Sequence, residues 1–216
     1  MPYPSGTDAA SAILNEVVLL NPMDAFVGQG RLVSDSGKKV RSNYWAMGGF
    51  NGLADSALAG TGVAVFVPIP VWPGDIITNV NFLVGATAGS TLTHAWCAIY
   101  AGGIALPTVI AQSTDSTTAT LTASLWAKFP LSSAQTITAA QCPYGYIYAA
   151  ISFTGTVPTA ASYSTPTALV TAGAAASFNV NAPIFNSFTA GATLGATAVT
   201  VASPAAKATC PLIVLS

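Results

Sequence analysis

The segment VFVPIPVWPGDIITNVNFLV, residues 65–84, holds three prolines inside a strongly hydrophobic run. Its alternation of side chains predicts β-strands, because successive residues of a strand point to opposite faces. Pro68 and Pro70 have the same parity, so both can lie where the strand makes no hydrogen bond to a neighbour. Pro73-Gly74 fits the two central positions of a type II turn. We therefore predict a hairpin whose first strand is a sheet edge protected by proline.

Similar short apolar runs recur along the chain. They cover residues 93–101, 107–113, 124–131 and 144–153. In the last run, Ile147 and Ile151 would face one side of a sheet, while Tyr146 and Tyr148 would face the other. Regular short strands with Gly- and Pro-containing turns predict a mainly β chain, folded as an antiparallel β-sandwich of jelly-roll type.

The surface of such a chain would be almost uncharged. Charged residues make up 6% of the sequence, against about 25% in ordinary soluble domains. The mean hydropathy is +0.59, yet no run of about 18 apolar residues occurs, so we expect no membrane insertion. A net charge of −1 gives little long-range attraction for phosphates, so nucleic acid is not an expected partner. The three cysteines are predicted to be small buried thiols: Cys97, Cys142 and Cys210.

The few charges are concentrated near the N terminus. Residues 61–216 carry only Asp75, Asp115, Lys128 and Lys207. This change in composition predicts an N-terminal attachment arm, residues 1–60, followed by a β body, residues 61–216.

Two elements are predicted within the arm. A start that can cap a helix is followed by apolar residues at helical spacing, which predicts a short helix over about residues 8–19. The β-branched Val17-Val18 pair leaves a strand as the alternative. The segment RLVSDSGKKVR, residues 31–41, alternates around an Asp-Ser-Gly turn and predicts a hairpin. Its basic residues are Arg31, Lys38, Lys39 and Arg41. They form a candidate docking arm for an acidic neighbouring protein, and a solvated hairpin explains them equally well.

A catalytic site is not indicated by the sequence. His94 is the single histidine, and a Ser-His-Asp triad could combine it with Asp75 or Asp115, but no Gly-x-Ser-x-Gly motif is present. His94 and Cys97 would lie on opposite faces of a strand, which is unsuited to a shared zinc ion. A packed, hydrogen-bonded histidine explains the pattern better, so we predict no catalytic residue, no metal site and no cofactor.

Aromatic residues are the best candidates for ligand contact. Four of them stand out: Trp72, Trp96, Tyr146 and Tyr148. Exposed aromatic rings can stack on sugars, which would give a glycan-binding platform. Aromatic residues on alternating strands more often belong to the core or to a subunit interface.

The middle of the chain resembles a known β module. The matching segments, in order, are VPIPVWPGDIITNVNFLVGATAG, THAWCAIYA, LPTVIAQSTDSTTA, WAKFPLSSAQTITAA and YGYIYAAISFTGTVPTA. Together they span about residues 61–160, roughly half of the chain. They resemble a module of structural proteins of tailed bacteriophages that infect actinobacteria, described as minor tail proteins, with similar modules in head decoration.

This resemblance implies a non-catalytic virion protein that forms a homo-oligomer, with a trimer as one expected form. Its partners would be tail proteins or the major capsid protein, contacted through the N-terminal arm with the β body outward. The rival hypothesis is a carbohydrate-binding module for host cell-envelope glycans, using the four aromatic residues. A hydrolase that uses His94 is the third.

Overall fold

The structure is a computed structural model. It describes residues 32–33, 39–42, 53–58, 60–102, 107–116, 120–164, 187–192, 201–207 and 209–216. The described residues form 14 β-strands and no helix. The strands are β1 (Leu32–Val33), β2 (Lys39–Ser42), β3 (Ala54–Ala57), β4 (Val63–Pro70), β5 (Ile76–Leu83), β6 (Ser90–Ala101), β7 (Val109–Gln112), β8 (Trp126–Thr136), β9 (Tyr146–Thr156), β10 (Thr159–Ser164), β11 (Ser187–Ala192), β12 (Val201–Lys207), β13 (Thr209–Pro211) and β14 (Ile213–Leu215). This confirms the prediction of a mainly β chain.

The strands form three sheets in which neighbouring strands are antiparallel. The six-stranded sheet has the order β12-β11-β4-β9-β6-β7, and the five-stranded sheet has the order β1-β2-β14-β5-β8. In the three-stranded sheet, β10 lies between β13 and β3. In the six-stranded sheet, β9 pairs on one side with β4 and on the other with β6.

One hydrophobic core contains side chains from all three sheets. Phe82 of β5, Phe129 of β8 and Phe153 of β9 meet within it, with ring centroids 5.5 to 6.2 Å apart. Such pairs add about 0.5–1.5 kcal/mol each beyond the burial of their apolar area. The inward residues of β9 are Ile147 and Ile151, as the alternation predicted.

The opposite face of the six-stranded sheet carries a second buried cluster. Its aromatic members are Phe66, Tyr100, Tyr146 and Tyr148, which come from β4, β6 and β9. The rings of Phe66 and Tyr100 pack edge to face at 5.0 Å. The six-stranded sheet is therefore buried on both faces in this region, so its strands read as almost continuous apolar runs.

The predicted hairpin over residues 65–84 is wrong. The turn itself is present, since the amide of Asp75 donates to the carbonyl of Trp72 at 3.0 Å and Gly74 has φ +91°. However, β4 and β5 belong to different sheets. Both strands carry fully buried apolar residues that pack in the same core, so they face each other across it instead of pairing edge to edge.

A β-bulge changes the predicted faces of β5. Simple alternation would place Ile76 on the face of Val80, but the amides of Thr78 and Asn79 both donate to the carbonyl of Ser216, and the register with β8 shifts between Ile77 and Asn79. Ile77 is therefore buried, and Ile76 is 59% exposed. A bulge adds one residue to a strand and so reverses which side chains point inward beyond it.

The prolines of β4 are tolerated for a related reason. The prediction of an edge strand is wrong, because β4 lies between β11 and β9. The amide of Val71 donates to Gly145 on the β9 side, so the alternate positions, Pro68 and Pro70, direct their backbone groups away from β9. On that other side the pairing with β11 extends only from Val63 to Phe66. The prolines thus lie where no described strand requires an N–H donor.

Parts of residues 1–60 are hydrogen-bonded into the sheets. β1 and β2 pair antiparallel, with Leu32 opposite Val40 and Val33 opposite Lys39, while the turn of the hairpin predicted over residues 31–41 lies outside the described residues. β2 then pairs with β14, and β3 pairs with β10. The helix predicted over residues 8–19 lies outside the described residues. The boundary at residue 60 stays a prediction.

Candidate functional site

The structure brings His94 and Asp115 together. His94 lies in β6, and the segment after β7 continues along the same edge, where the amide of Ser116 donates to the carbonyl of Ala95 at 3.1 Å. This places Nδ1 of His94 2.7 Å from Oδ2 of Asp115. The other carboxylate oxygen of Asp115 accepts the amide of Ala95 at 3.1 Å. The carboxylate is therefore fixed at both oxygens.

Trp96 packs against the histidine of this pair. The His94 and Trp96 rings are parallel within 1° with centroids 4.9 Å apart, since residues two apart on a strand share a face. Cys97 lies on the other face, in the core, as predicted. The His94 side chain is 44% exposed, so the imidazole is oriented by Asp115 and Trp96 while part of it stays in contact with solvent.

Beside this pair lies a cleft of about 520 Å³. It lies between the segment that follows β7 and the outer strand β8. Its polar lining includes Asp115, Ser116, Thr120 and Lys128, and its apolar lining includes Leu121, Ala127 and Phe129. A volume of this size falls in the usual range of small-molecule sites. The cleft therefore combines a carboxylate, an ammonium group and hydroxyl groups with an apolar wall.

Asp75, the other acid considered for a triad, has a structural role. Its carboxylate accepts Nε and Nη2 of Arg41 at 2.6 Å each, and it also accepts the amide of Trp72 at 2.8 Å. The side chains of Arg41 and Asp75 are 4% and 3% exposed. A bidentate, buried pair of this kind holds β2 to the turn after β4.

The position of Arg41 does not support a docking role, because its guanidinium is buried in the ion pair with Asp75. The Lys39 backbone lies in β2, and Arg31 and Lys38 lie outside the described residues. Docking through these three residues stays a prediction.

The four aromatic candidates do not form one exposed platform. Tyr146 and Tyr148 are 3% and 0% exposed, and burial, followed by the neighbouring Tyr146, raises the pKa of Tyr148. Trp96 contacts His94, whereas Trp72 is 42% exposed at the turn after β4. The exposed Tyr144 lies close in register to Trp72, since Pro70 pairs with Tyr146 and Val71 bonds to Gly145.

The cysteines are buried free thiols, which confirms their predicted role. Burial raises the pKa of Cys97 well above its ordinary value. Burial, with a smaller contribution from the Asp75 charge, also raises the pKa of Cys142. Thiols with raised pKa values are poor nucleophiles at neutral pH, so neither residue suggests redox or catalytic chemistry.

Sequence reasoning missed the cleft and the presence of Lys128 in its lining. Lys128 was noted only as one of the four charges of residues 61–216, and nothing in the sequence indicated that β8 would lie beside the segment after β7. The isolated bridge between Ser113 and Leu131 is what joins these two edges.

Comparisons with known proteins add no assignment. No protein-family model matches the chain. No curated protein matches it either. Within the described part of the chain, no helix is long and apolar enough to cross a membrane, and the same residues contain no group of three or more side chains suited to hold a metal ion.

Proposed function

We propose that this chain is a non-catalytic structural protein of a bacteriophage virion, acting as a minor tail protein or a capsid decoration protein. The observation that carries the proposal is the sequence resemblance over about residues 61–160. That segment supplies β4 to β9 and the start of β10, and most of the residues of the shared core.

The proposal includes a β-sandwich of jelly-roll type. It is supported by the core that the sheets share and by the way successive strands alternate between sheets. The chain passes from β4 to β5, and from β7 to β8 and then β9, each time changing sheet. Alternation of this kind is typical of jelly rolls, in which two antiparallel sheets face each other.

A role in a larger assembly is supported by the nature of the surface. Charged side chains are costly to bury in a protein interface, because their hydration must be replaced. The described body carries very few of them, and its exposed strand positions are largely Thr, Ser and Ala. We propose that these neutral surfaces pack against copies of the chain, as a trimer, and against tail or capsid proteins.

The test is the composition of virus particles. Particles banded by density from the strain that encodes the chain should contain it, and immunogold labelling should place it on the head or on the tail. A matched particle preparation with the gene deleted is the control for antibody specificity. Absence of the chain from intact particles would overturn the proposal.

Light scattering of the purified full chain tests the oligomer separately. A trimer would have about three times the mass of 21.7 kDa. A monomer at all concentrations would refute the trimer. The proposal would then require that copies of the chain come together only on the virus particle.

A further inference from the structure

We propose that the cleft beside Asp115 binds a neutral saccharide. This inference goes beyond the virion role and does not depend on it, because it follows from the geometry of the cleft. The cleft is defined here by Asp115, Ser116, Thr120 and Lys128 with the apolar wall of Leu121 and Phe129.

The carboxylate of Asp115 is organised before any ligand arrives. His94 and the amide of Ala95 each occupy one of its oxygens. An ionised carboxylate offers about four lone-pair positions, so about two remain for donors in the cleft. A fixed acceptor of this kind costs little ordering entropy when it receives hydroxyl groups, which favours binding.

Lys128 supplies the complementary donor. Its side chain is exposed, and it makes no ion pair with another residue in the described ranges. Its ammonium group has three N–H donors and no acceptor. The hydroxyl groups of Ser116 and Thr120 can both donate and accept. The lining therefore matches a ligand whose groups also do both, as sugar hydroxyl groups do.

The balance of charge favours a neutral ligand. The cleft carries one carboxylate and one ammonium group, so their fields oppose each other for either sign of ligand charge. A phosphate would be repelled by the Asp115 carboxylate, and an amine would be repelled by the Lys128 ammonium group. A neutral polyol is repelled by neither.

The apolar wall selects a sugar among neutral polar ligands. The exposed Pro130 lines the cleft, and Leu121 and Phe129, which are 6% and 5% exposed, contribute only small apolar areas beside it. A pyranose ring has one face rich in C–H groups, which can pack on such a wall while the hydroxyl groups at its edge reach Asp115 and Lys128. Burial of this apolar face adds to the hydrogen bonds.

The experiment is a titration of the ¹⁵N-labelled full chain followed by amide chemical shifts. The probes are methyl glycosides of glucose, galactose, mannose and arabinose and their disaccharides, up to about 50 mM, a range that captures a Kd near 1 mM. Glucose 6-phosphate and glucosamine are the charged comparisons. We expect saturable shifts confined to the amides of residues 113–116, 120–121 and 127–129 with a neutral probe.

Variants then test the named groups. Asp115→Asn and Lys128→Gln should each weaken the Kd about tenfold or more, because each removes a charge-assisted hydrogen bond. Thr120→Val should weaken it by a smaller factor. The matched control is Thr122→Val, an exposed neighbour on the same segment that does not line the cleft, and its Kd should stay within about twofold.

Thr120→Val and Lys128→Gln replace exposed side chains, so both are expected to fold even if Asp115→Asn does not. Absence of shifts with every neutral probe would overturn the proposal. Binding of glucose 6-phosphate or glucosamine alone would overturn it as well, and so would shifts centred on Trp72 and Tyr144.

Discussion

Removing the Arg41 guanidinium should destabilise the fold more than the loss of any described charge outside its pair with Asp75. Arg41 and Asp75 are separated by 34 positions in the chain but make two hydrogen bonds of 2.6 Å in a nearly solvent-free site. Arg41→Leu removes the cation that pairs with the buried Asp75 carboxylate and leaves the Trp72 amide as a donor to it. An amide does not replace a cation, so the folded state must hold a buried carboxylate without its Arg41 counter-charge.

The expected cost follows from this geometry. Breaking a buried ion pair by removing one partner costs about 3–5 kcal/mol, whereas replacing both partners by apolar residues is often close to neutral. Asp75→Leu should therefore also destabilise by about 3–5 kcal/mol, since it leaves the Arg41 charge buried. The double variant should recover most of this loss. A residual cost of about 1–3 kcal/mol should remain, because the amide of Trp72 loses its acceptor.

Urea unfolding followed by far-ultraviolet circular dichroism measures these changes as a double-mutant cycle. Lys128→Gln is the control for loss of an exposed charge and should change the free energy of unfolding by less than about 0.5 kcal/mol. The coupling should persist at high salt, because a buried pair is screened only weakly. Single variants that cost less than about 1 kcal/mol, or a coupling abolished by salt, would show that the pair behaves as an exposed ion pair.

The same pair bears on the boundary at residue 60. Deleting residues 1–60 removes Arg41 together with β2 and β3, which pair with β14 and β10. We expect the fragment 61–216 to lose at least as much stability as Arg41→Leu. A fragment as stable as the full chain would show that residues 1–60 are a separate arm.

Three further outcomes are expected from the same unfolding assay. Phe82→Ala should lower the free energy of unfolding by about 3–5 kcal/mol, because the Phe82 ring contacts two other phenylalanines in the core. The control is Leu125→Ala, at a side chain that is 58% exposed, which should change that free energy by less than about 0.5 kcal/mol. Gly102→Ala should destabilise the chain clearly more than Gly60→Ala, because a β-carbon at Gly102 would overlap a backbone carbonyl oxygen of β9, whereas one at Gly60 meets no atom within 4 Å; equal effects would contradict this. Burial raises the pKa of Cys97 from 9.0, so above about pH 9 the unfolded chain loses this proton first and the free energy of unfolding should fall by up to about 1.4 kcal/mol per pH unit. A slope unchanged by Cys97→Ala would rule out that origin.

Local patterns predicted the faces of several strands correctly. The alternation of β9 separated Ile147 and Ile151 from Tyr146 and Tyr148, and the structure places these two sets in two different buried clusters. The turn at Pro73-Gly74 was equally readable, because a positive φ at its third residue favours glycine. Such features depend on neighbouring residues, so a short stretch of sequence contains the information.

Features that depend on distant residues were not accessible in this way. From the sequence, either Asp75 or Asp115 was a possible partner of His94. The structure pairs His94 with Asp115, because the segment after β7 continues along β6. Arg41 was interpreted as a surface charge, since no local pattern shows that β2 pairs with β14.

Sequence information alone was sufficient to predict a nearly uncharged, antiparallel β protein with buried thiols, and the faces of a regular strand such as β9. These properties follow from composition and from the two-residue period of a strand. Three features became evident only from the folded chain: β4 and β5 face each other across a core, a bulge buries Ile77 in place of Ile76, and a polar cleft lies beside β8. The physical reason is that strand partners are selected by burial of apolar faces between segments far apart in the chain, and the period of a strand carries no information about its partner.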